Sequence, residues 1–381
     1  MRLLLISLGA LILLSGAVVL IMTGEVREEE TTGITVSSVM SGAENGFNKA
    51  DSVIEFRFPR DHFAHPAYRT EWWYFTGNLF TREGRRFGYQ VTIFRNGIYP
   101  VVTEDTTGFS ASAVYSAHIG VSDISSGKFY SFESFARGAN GLAGSKIDSS
   151  TVFAGSVVLK YDFSRDPAMP VMKISAKKKG LELELELLPS KPAVLQGNKG
   201  LSAKSNKPGN ASYYYSYTRL ATKAVFRTGG EKNELKGDSW MDREWSTSAL
   251  DEDQKGWDWF ALQLDDNTEL MYFRLRDAKG NTNFQKGSLV YADGSYRVLR
   301  DGDLKLSTLD FNTVNSTKYP ASWKIEVIPL NTIFGVKTTM KKQEHRFSIR
   351  YYEGAIDVEK VSNGSKIAGK GYVELTGYSG E

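Results

Sequence analysis

Trp72-Trp73-Tyr74-Phe75-Thr76-Gly77-Asn78-Leu79, a turn, and Phe87-Gly88-Tyr89-Gln90-Val91-Thr92-Ile93-Phe94-Arg95 have an echo further along the chain. It reads Trp257-Asp258-Trp259-Phe260-Ala261-Leu262-Gln263-Leu264, a turn, and Leu270-Met271-Tyr272-Phe273-Arg274-Leu275-Arg276. Each copy is a Trp-rich strand hairpinned to a strand carrying Phe-Arg. Each is followed by a further hairpin, at Ala117 to Phe132 and at Gly287 to Leu299, so the order of elements repeats along with the motif. Repetition on that scale implies a duplicated meander.

Around the echo, apolar residues recur with period two, as in Val53-Ile54-Glu55-Phe56-Arg57-Phe58, Val157-Val158-Leu159-Lys160-Tyr161 and Leu181-Glu182-Leu183-Glu184-Leu185-Glu186-Leu187. That alternation marks half-buried strands. Turn residues separate them at Arg82-Glu83-Gly84, Ser125-Ser126-Gly127-Lys128, Ala292-Asp293-Gly294-Ser295 and Arg300-Asp301-Gly302-Asp303, so hairpins are expected and not βαβ units. A meander escapes exposed edges most simply by closing, and a barrel of about eight strands encloses side chains or one small ligand. The expectation is an all-β protein with two consecutive calycin-like antiparallel barrels. Pro189 to Gly209 reads as a long loop within the first barrel, and Gly229-Gly230 as the boundary, giving domains over 51–229 and 230–381.

The first 24 residues read as a membrane device. Leu3 to Met22 carries no charge and is about long enough to cross a hydrocarbon core of ~20 residues. It ends in Leu20-Ile21-Met22-Thr23 and not in an A-x-A-like cleavage site, which favours an uncleaved signal anchor over a cleaved signal peptide and secretion. Arg2 precedes the run and Glu25, Glu28, Glu29 and Glu30 follow it, which places the body on the periplasmic or outer side of the cytoplasmic membrane. Residues 25–50 read as a tether.

Composition excludes several classes of function. The 47 Lys+Arg and 44 Asp+Glu leave +3 with no basic block, so nucleic acid is not an expected partner. With no cysteine there is no disulfide, thiolate or iron–sulfur chemistry. G-x-S-x-G, the P-loop, the dinucleotide G-x-G-x-x-G and H-E-x-x-H are all missing. His62 and His65 would share a metal only if Glu71 or Asp242 joined them, and His118 reads as a satisfied strand histidine, so neither a metal nor a cofactor is expected.

The strings His65-Pro66-Ala67-Tyr68-Arg69-Thr70-Glu71-Trp72-Trp73-Tyr74-Phe75-Thr76-Gly77-Asn78-Leu79, Gly237-Asp238-Ser239-Trp240-Met241-Asp242-Arg243-Glu244-Trp245 and Tyr351-Tyr352-Glu353-Gly354-Ala355 together resemble the AttH/CrtC-like family, named for carotenoid 1,2-hydratases and hydroxyneurosporene synthases. The resemblance runs from about residue 51 to the C-terminus. It implies two lipocalin-like domains, an apolar isoprenoid or lipid ligand and, in the named members, addition of water to an isolated terminal alkene. More distant fungal relatives act as pericyclases. The resemblance also suggests neighbouring membrane transport components as partners.

Hydrating such an alkene takes a proton donor, a dry pocket for the developing cation and a directed water. In extended geometry Trp240, Asp242 and Glu244 share one strand face while Arg243 and Trp245 share the other. Asp242 and Glu244 are therefore the candidate acids; alternatively they pair with Arg243 or Arg69 and tie the domains together. Glu71 and Trp73 share one face, Trp72 and Tyr74 the other, so one pair lines a barrel and one faces the partner domain or solvent. Glu71, Trp72, Trp73, Tyr74, Trp240, Trp245, Trp257, Trp259 and Glu353 make up the candidate ligand-binding set. Asp258 is expected in solvent or between domains, and Glu353 on the surface unless it is a buried donor. Two readings stand: an anchored carrier of an apolar molecule, and a cofactor-free hydratase or isomerase.

Overall fold

A computed structural model describes residues 46–101, 111–178, 180–248 and 250–378. The apolar run 3–22, and the tether as far as residue 45, lie outside the described residues. No helix among the described residues is long and apolar enough to cross a membrane.

The first sheet is built from β1 (Thr70–Phe80), β2 (Arg86–Gly97), β3 (Ala113–Asp123), β4 (Lys128–Arg137), β5 (Ala143–Lys146), β6 (Thr151–Ala154), β7 (Val157–Asp162), β8 (Val171–Lys178), β9 (Leu181–Pro189), β10 (Val194–Leu195), β11 (Leu201–Ala203), β12 (Ala211–Thr228) and β13 (Glu231–Ser246). The second holds β14 (Gln254–Leu264), β15 (Glu269–Asp277), β16 (Thr282–Val290), β17 (Tyr296–Leu299), β18 (Leu304–Val314), β19 (Thr317–Val327), β20 (Thr332–Thr338), β21 (Glu344–Arg346), β22 (Arg350–Ser362) and β23 (Ser365–Thr376). The first runs β4-β3-β2-β1-β13-β12-β9-β8-β7-β6-β5, with β10 and β11 added on β12. The second runs β17-β16-β15-β14-β23-β22-β20-β19-β18, with β21 on β22. Both sheets curl. In the first, Lys178 Nζ donates to the Glu133 carbonyl at 2.8 Å and Ser134 Oγ to the Ala154 carbonyl at 3.5 Å, bringing β4 against β6 and β8. In the second, Gln285 of β16 donates to the Asp301 and Leu304 carbonyls at the start of β18.

The expected boundary at Gly229-Gly230 is instead a hairpin turn. Both glycines have positive φ, 57° and 85°, which a tight hairpin needs and side chains resist. The strand that follows, β13, lies between β1 and β12 in the middle of the first sheet. The chain crosses to the second sheet only between Ser246 and Gln254.

Strand alternation then assigns every side chain a face. Glu71, Trp73 and Arg243 with Trp245 point into the first barrel, where Trp73 and Trp245 belong to its core. The Arg243 guanidinium lies over the Trp73 ring at 4.0 Å and the Trp245 ring at 5.0 Å. It pairs with Glu71 at 2.5 Å, and Arg95 reaches the same carboxylate at 3.3 Å. His65 stacks on Trp245 at 3.8 Å and its backbone N–H donates to Glu71 at 2.8 Å. Burial alone would raise the Glu71 pKa, but Arg243, His65 and Arg95 outweigh it and hold the carboxyl at about 2. Glu71, Trp73 and Trp245 are thus buried in the interior of the first barrel.

The expectation for Asp258 is corrected: it is fully buried and meets Arg274 at 2.7 Å, Arg276 at 2.9 Å and the Tyr378 hydroxyl at 2.9 Å. Glu71 with Arg95 and Asp258 with Arg274 are both direct cross-strand partners, so the echo places an acid and an arginine at matching points of β1–β2 and β14–β15.

Two outcomes follow. Residues 46–229 alone, lacking the strand between β1 and β12, should show no cooperative thermal transition by circular dichroism, whereas 46–250 should show one. Glu71→Gln should cost roughly 3–5 kcal/mol in denaturant unfolding, because two buried arginines lose their counter-charge. In the parent, the contribution of Glu71 is complete above its ordinary value of 4.5 and is lost as pH falls toward 2, so the variant should lack that acid limb.

Candidate functional site

The opposite faces of the same strands meet between the barrels. Register sets Ser216 on β12, Asp242 on β13, Tyr74 on β1, Thr92 on β2, His118 on β3 and Glu133 on β4 as successive direct partners in one row. On the second sheet Glu353 on β22, Glu374 on β23, Trp259 on β14 and Phe273 on β15 form another. Hydrogen bonds join the two faces: Tyr74 O–H donates to Glu353 at 3.0 Å, Trp259 Nε1–H to the Tyr214 hydroxyl at 3.2 Å, and Tyr351 O–H meets His118 Nδ1 at 2.8 Å. Trp259 stands edge-on to Tyr74 at 5.0 Å and to Trp240 at 6.2 Å, within an apolar cluster that also includes Met271 and Phe273.

Acids sit among these rings. Asp242, 3% exposed, accepts from Ser216 Oγ at 2.5 Å, Tyr214 O–H at 2.6 Å and Trp240 Nε1–H at 2.7 Å. Burial nevertheless outweighs these three donors and pushes its pKa up to about 7. Glu353 is 1% exposed, contrary to the expectation of a surface acid. Burial first, then the negative charge of Glu374, raises it well above the usual carboxylate range, against a single donated bond from Tyr74. Its Oε1 has no hydrogen-bond partner among the described residues. Glu374, partly buried beside Trp257, is raised to about 8 by desolvation and by Asp242 and Glu244. Two carboxyls directly opposite each other on adjacent strands repel when both are charged, which favours the neutral form of each.

Glu244 is different. Lys204 Nζ lies 2.7 Å from its carboxylate, and the Ser212 hydroxyl also donates to it. The ammonium also rests over the Phe273 ring at 4.5 Å. Glu244 is therefore held in an ion pair, unlike Asp242, whose three partners are neutral donors. Arg243, on the other face of β13, gives its charge to Glu71 and meets Glu244 at the backbone carbonyl, at 3.0 Å, rather than at the carboxylate. Trp72, Tyr74, Trp240, Trp257, Trp259 and Glu353 all belong to this inter-barrel face, and Trp72, Trp257 and Glu374 are only half-buried, forming its open lip.

Sequence reading passed over Glu374, Tyr214, Ser216 and Lys204. The signal for Glu374 was present: in Tyr372-Val373-Glu374-Leu375 an acid interrupts an apolar strand beside a strand, Tyr351 to Ala355, already singled out. Away from this face, His62 meets the Tyr215 hydroxyl at 2.7 Å, and burial lowers its pKa to about 4. Beside it, at the mouth of the first barrel, Ile54, Phe56, Phe58, Met169 and Leu195 line a cavity of about 560 Å³.

A family model described as AttH-like matches residues 49–378. Among solved structures, an AttH candidate from Nitrosomonas europaea is 30% identical and superposes with a TM-score of 0.75, over 86% of this chain and 98% of its own. Kievitone hydratase from Nectria haematococca is 14% identical with a TM-score of 0.64, over 90% and 98% of the two chains. CghA with Sch210972 is 14% identical with a TM-score of 0.51, over 90% and 99%. The last two, at this identity, show a shared fold. No curated protein matches the chain. With the family pattern spanning nearly all of both barrels, the chain belongs to the AttH-like family, and its two curled antiparallel sheets are a lipocalin-like fold.

Proposed function

We propose that the protein is a hydratase- or cyclase-type enzyme that acts on an apolar unsaturated molecule, an isoprenoid or lipid, by carboxylic acid catalysis between the barrels. The observation that carries this is the placing of three acids, Asp242, Glu353 and Glu374, among indole and phenol rings, where desolvation raises each carboxyl above its ordinary value. A carboxyl that keeps its proton at neutral pH can deliver it to carbon, and a ring face such as Trp259 or Trp240 stabilises the resulting cation by about 0.5–2 kcal/mol. Glu353 is the better donor, because its Oε1 is free of partners among the described residues, while Asp242 holds three donors and fixes Tyr214 and Trp240 in place. Sharing a fold with kievitone hydratase supports the reaction class. In this proposal the leader and tether keep the site beside the outer face of the cytoplasmic membrane, where such ligands are dissolved and where transport components would hand them over.

A second reading, a carrier without chemistry, is favoured by the cavity of about 560 Å³ at the mouth of the first barrel. Incubation with acyclic isoprenoids in heavy-oxygen water separates the two. The enzyme reading expects label in the product, and a fall of about 10²–10⁴-fold in turnover for Glu353→Gln and for Asp242→Asn with binding retained. A parent that binds the isoprenoid and yields neither labelled alcohol nor any cyclised or isomerised product leaves the carrier.

The pH dependence has a defined sign. Ionisation of Asp242 and Glu374, raised to about 7 and about 8, puts negative charge beside the donor Glu353 and weakens it as an acid, so turnover should decline as pH rises through that range. Their raised values also mean that the folded state binds these protons more tightly than the unfolded chain does. Relative stability is therefore full below 3.8 and is lost as pH rises through about 7. Asp242→Asn should accordingly melt above the parent at pH 8 in a thermal-shift assay.

A further inference from the structure

We propose that Tyr351, His118 and Glu133 form a proton relay that acts as the base of the inter-barrel site, with Tyr351 receiving the proton from the water that adds. The inference rests on the enzymatic reading and supplies what it leaves open, since an acid that protonates carbon does not by itself activate water. The three residues come from both barrels: His118 and Glu133 are adjacent in the row across the first sheet, and Tyr351 is on β22 of the second.

The hydrogen bonds fix the direction of the relay. Glu133 lies 3.0 Å from His118 Nε2, and Ser348 ties the same carboxylate through its hydroxyl at 2.6 Å and its backbone N–H at 3.2 Å. Burial would raise this carboxyl, but His118 and Ser348 outweigh it and hold it below its ordinary value, as an acceptor only. In the relay Nε2 carries the imidazole proton toward Glu133 and Nδ1 accepts from the Tyr351 phenol at 2.8 Å. Phe347 at 4.9 Å from His118, and His345 stacked on Tyr351 at 4.9 Å and edge-on to Phe129 of β4 at 5.2 Å, pack around the relay. Tyr351 and Glu353 are two apart on one strand face, so their Cα atoms are about 6.5–7 Å apart and both side chains leave β22 in the same direction.

The steps balance. Glu353 transfers its proton to one alkene carbon, forming a C–H bond as the π bond breaks and the neighbouring carbon becomes cationic. Water forms the C–O bond to that carbon. Its surplus proton passes to the Tyr351 oxygen as the phenol proton moves to His118 Nδ1, and the imidazolium is held by Glu133. Return of that proton through Tyr351 to Glu353 resets the site, so alkene and water give alcohol with no net proton. Tyr351 is the catalytic residue; His118 and Glu133 are positioning residues that act through it.

Two measurements on the full chain test the relay. In nitrogen-15 NMR with labelled histidine, His118 should be the neutral Nε2–H tautomer with a hydrogen-bonded Nδ1, and Tyr351→Phe, which keeps the ring, should shift Nδ1 to the value of an unbonded acceptor. An Nδ1–H tautomer, or an Nδ1 resonance indifferent to Tyr351→Phe, overturns the relay whether or not turnover is seen. In heavy-oxygen hydration of an acyclic isoprenoid, Tyr351→Phe should lower kcat by about 10²–10⁴-fold with KM within a few-fold. Glu133→Gln should lower kcat and Glu133→Asp should restore part of it. An active parent whose Tyr351→Phe variant keeps kcat within two-fold overturns the relay and leaves the acid site standing. A parent with no turnover overturns the enzymatic reading, and the catalytic role of the relay with it.

Discussion

Arg243, clamped by Glu71 between two indoles inside the first barrel, is the contact on which the rest of the molecule turns. A charge that deep is tolerable only when paired, so β13 has one admissible register against β1. With Arg243 and Trp245 inside, alternation obliges Trp240, Asp242 and Glu244 to face outward, and with Glu71 and Trp73 inside, Trp72 and Tyr74 must do the same. A slip of one residue would exchange the two sets, leaving the ion cluster between the barrels and the acids in the core. The inner salt cluster is thus remote from the outer acids in contact but governs where they stand.

The outer face reverses the logic of the inner one. Inside, two arginines overwhelm the cost of burying Glu71; between the barrels, Asp242 and Glu353 are buried with neutral donors, and the desolvation is met by keeping a proton. Lys204 satisfies one acid of the face, Glu244, and so marks the difference between a carboxylate held for structure and a carboxyl available for chemistry. Other buried charges between the barrels follow the inner pattern: Glu269 is held by Lys191 at 2.7 Å and Arg219 at 2.7 Å, which binds β15 to the first sheet and keeps the two faces in contact.

Much of this was legible because period-two alternation is a local property. Trp72 and Tyr74 opposite Glu71 and Trp73, and Asp242 opposite Arg243, follow from strand geometry alone, as do the hairpins at Ala117 to Phe132 and Gly287 to Leu299. What alternation cannot tell is which face is buried against what. Asp258 and Glu353 look alike as acids in aromatic strands, yet one faces two arginines on its own sheet and the other a tyrosine of the opposite barrel. Lys204 lies in a stretch whose composition says only loop, and its pairing with Glu244 depends on β11 laying that loop along β12. Gly229-Gly230 misled because a linker and a hairpin turn use the same two glycines; only the partner of the next strand distinguishes them.

The position of β13 has a consequence for how the chain is made. β1 leaves the ribosome early, but one of its two neighbours is completed only at Ser246, so Thr70 waits for a partner that is the 246th of 381 residues. Until then β1–β2–β3–β4 is a meander with an open edge, and the aromatic strand that will become the middle of a sheet is exposed along one side. Such long-range closure is slow. Nascent chains halted between Phe80 and Ser246 would therefore display an aromatic strand with one edge unpaired.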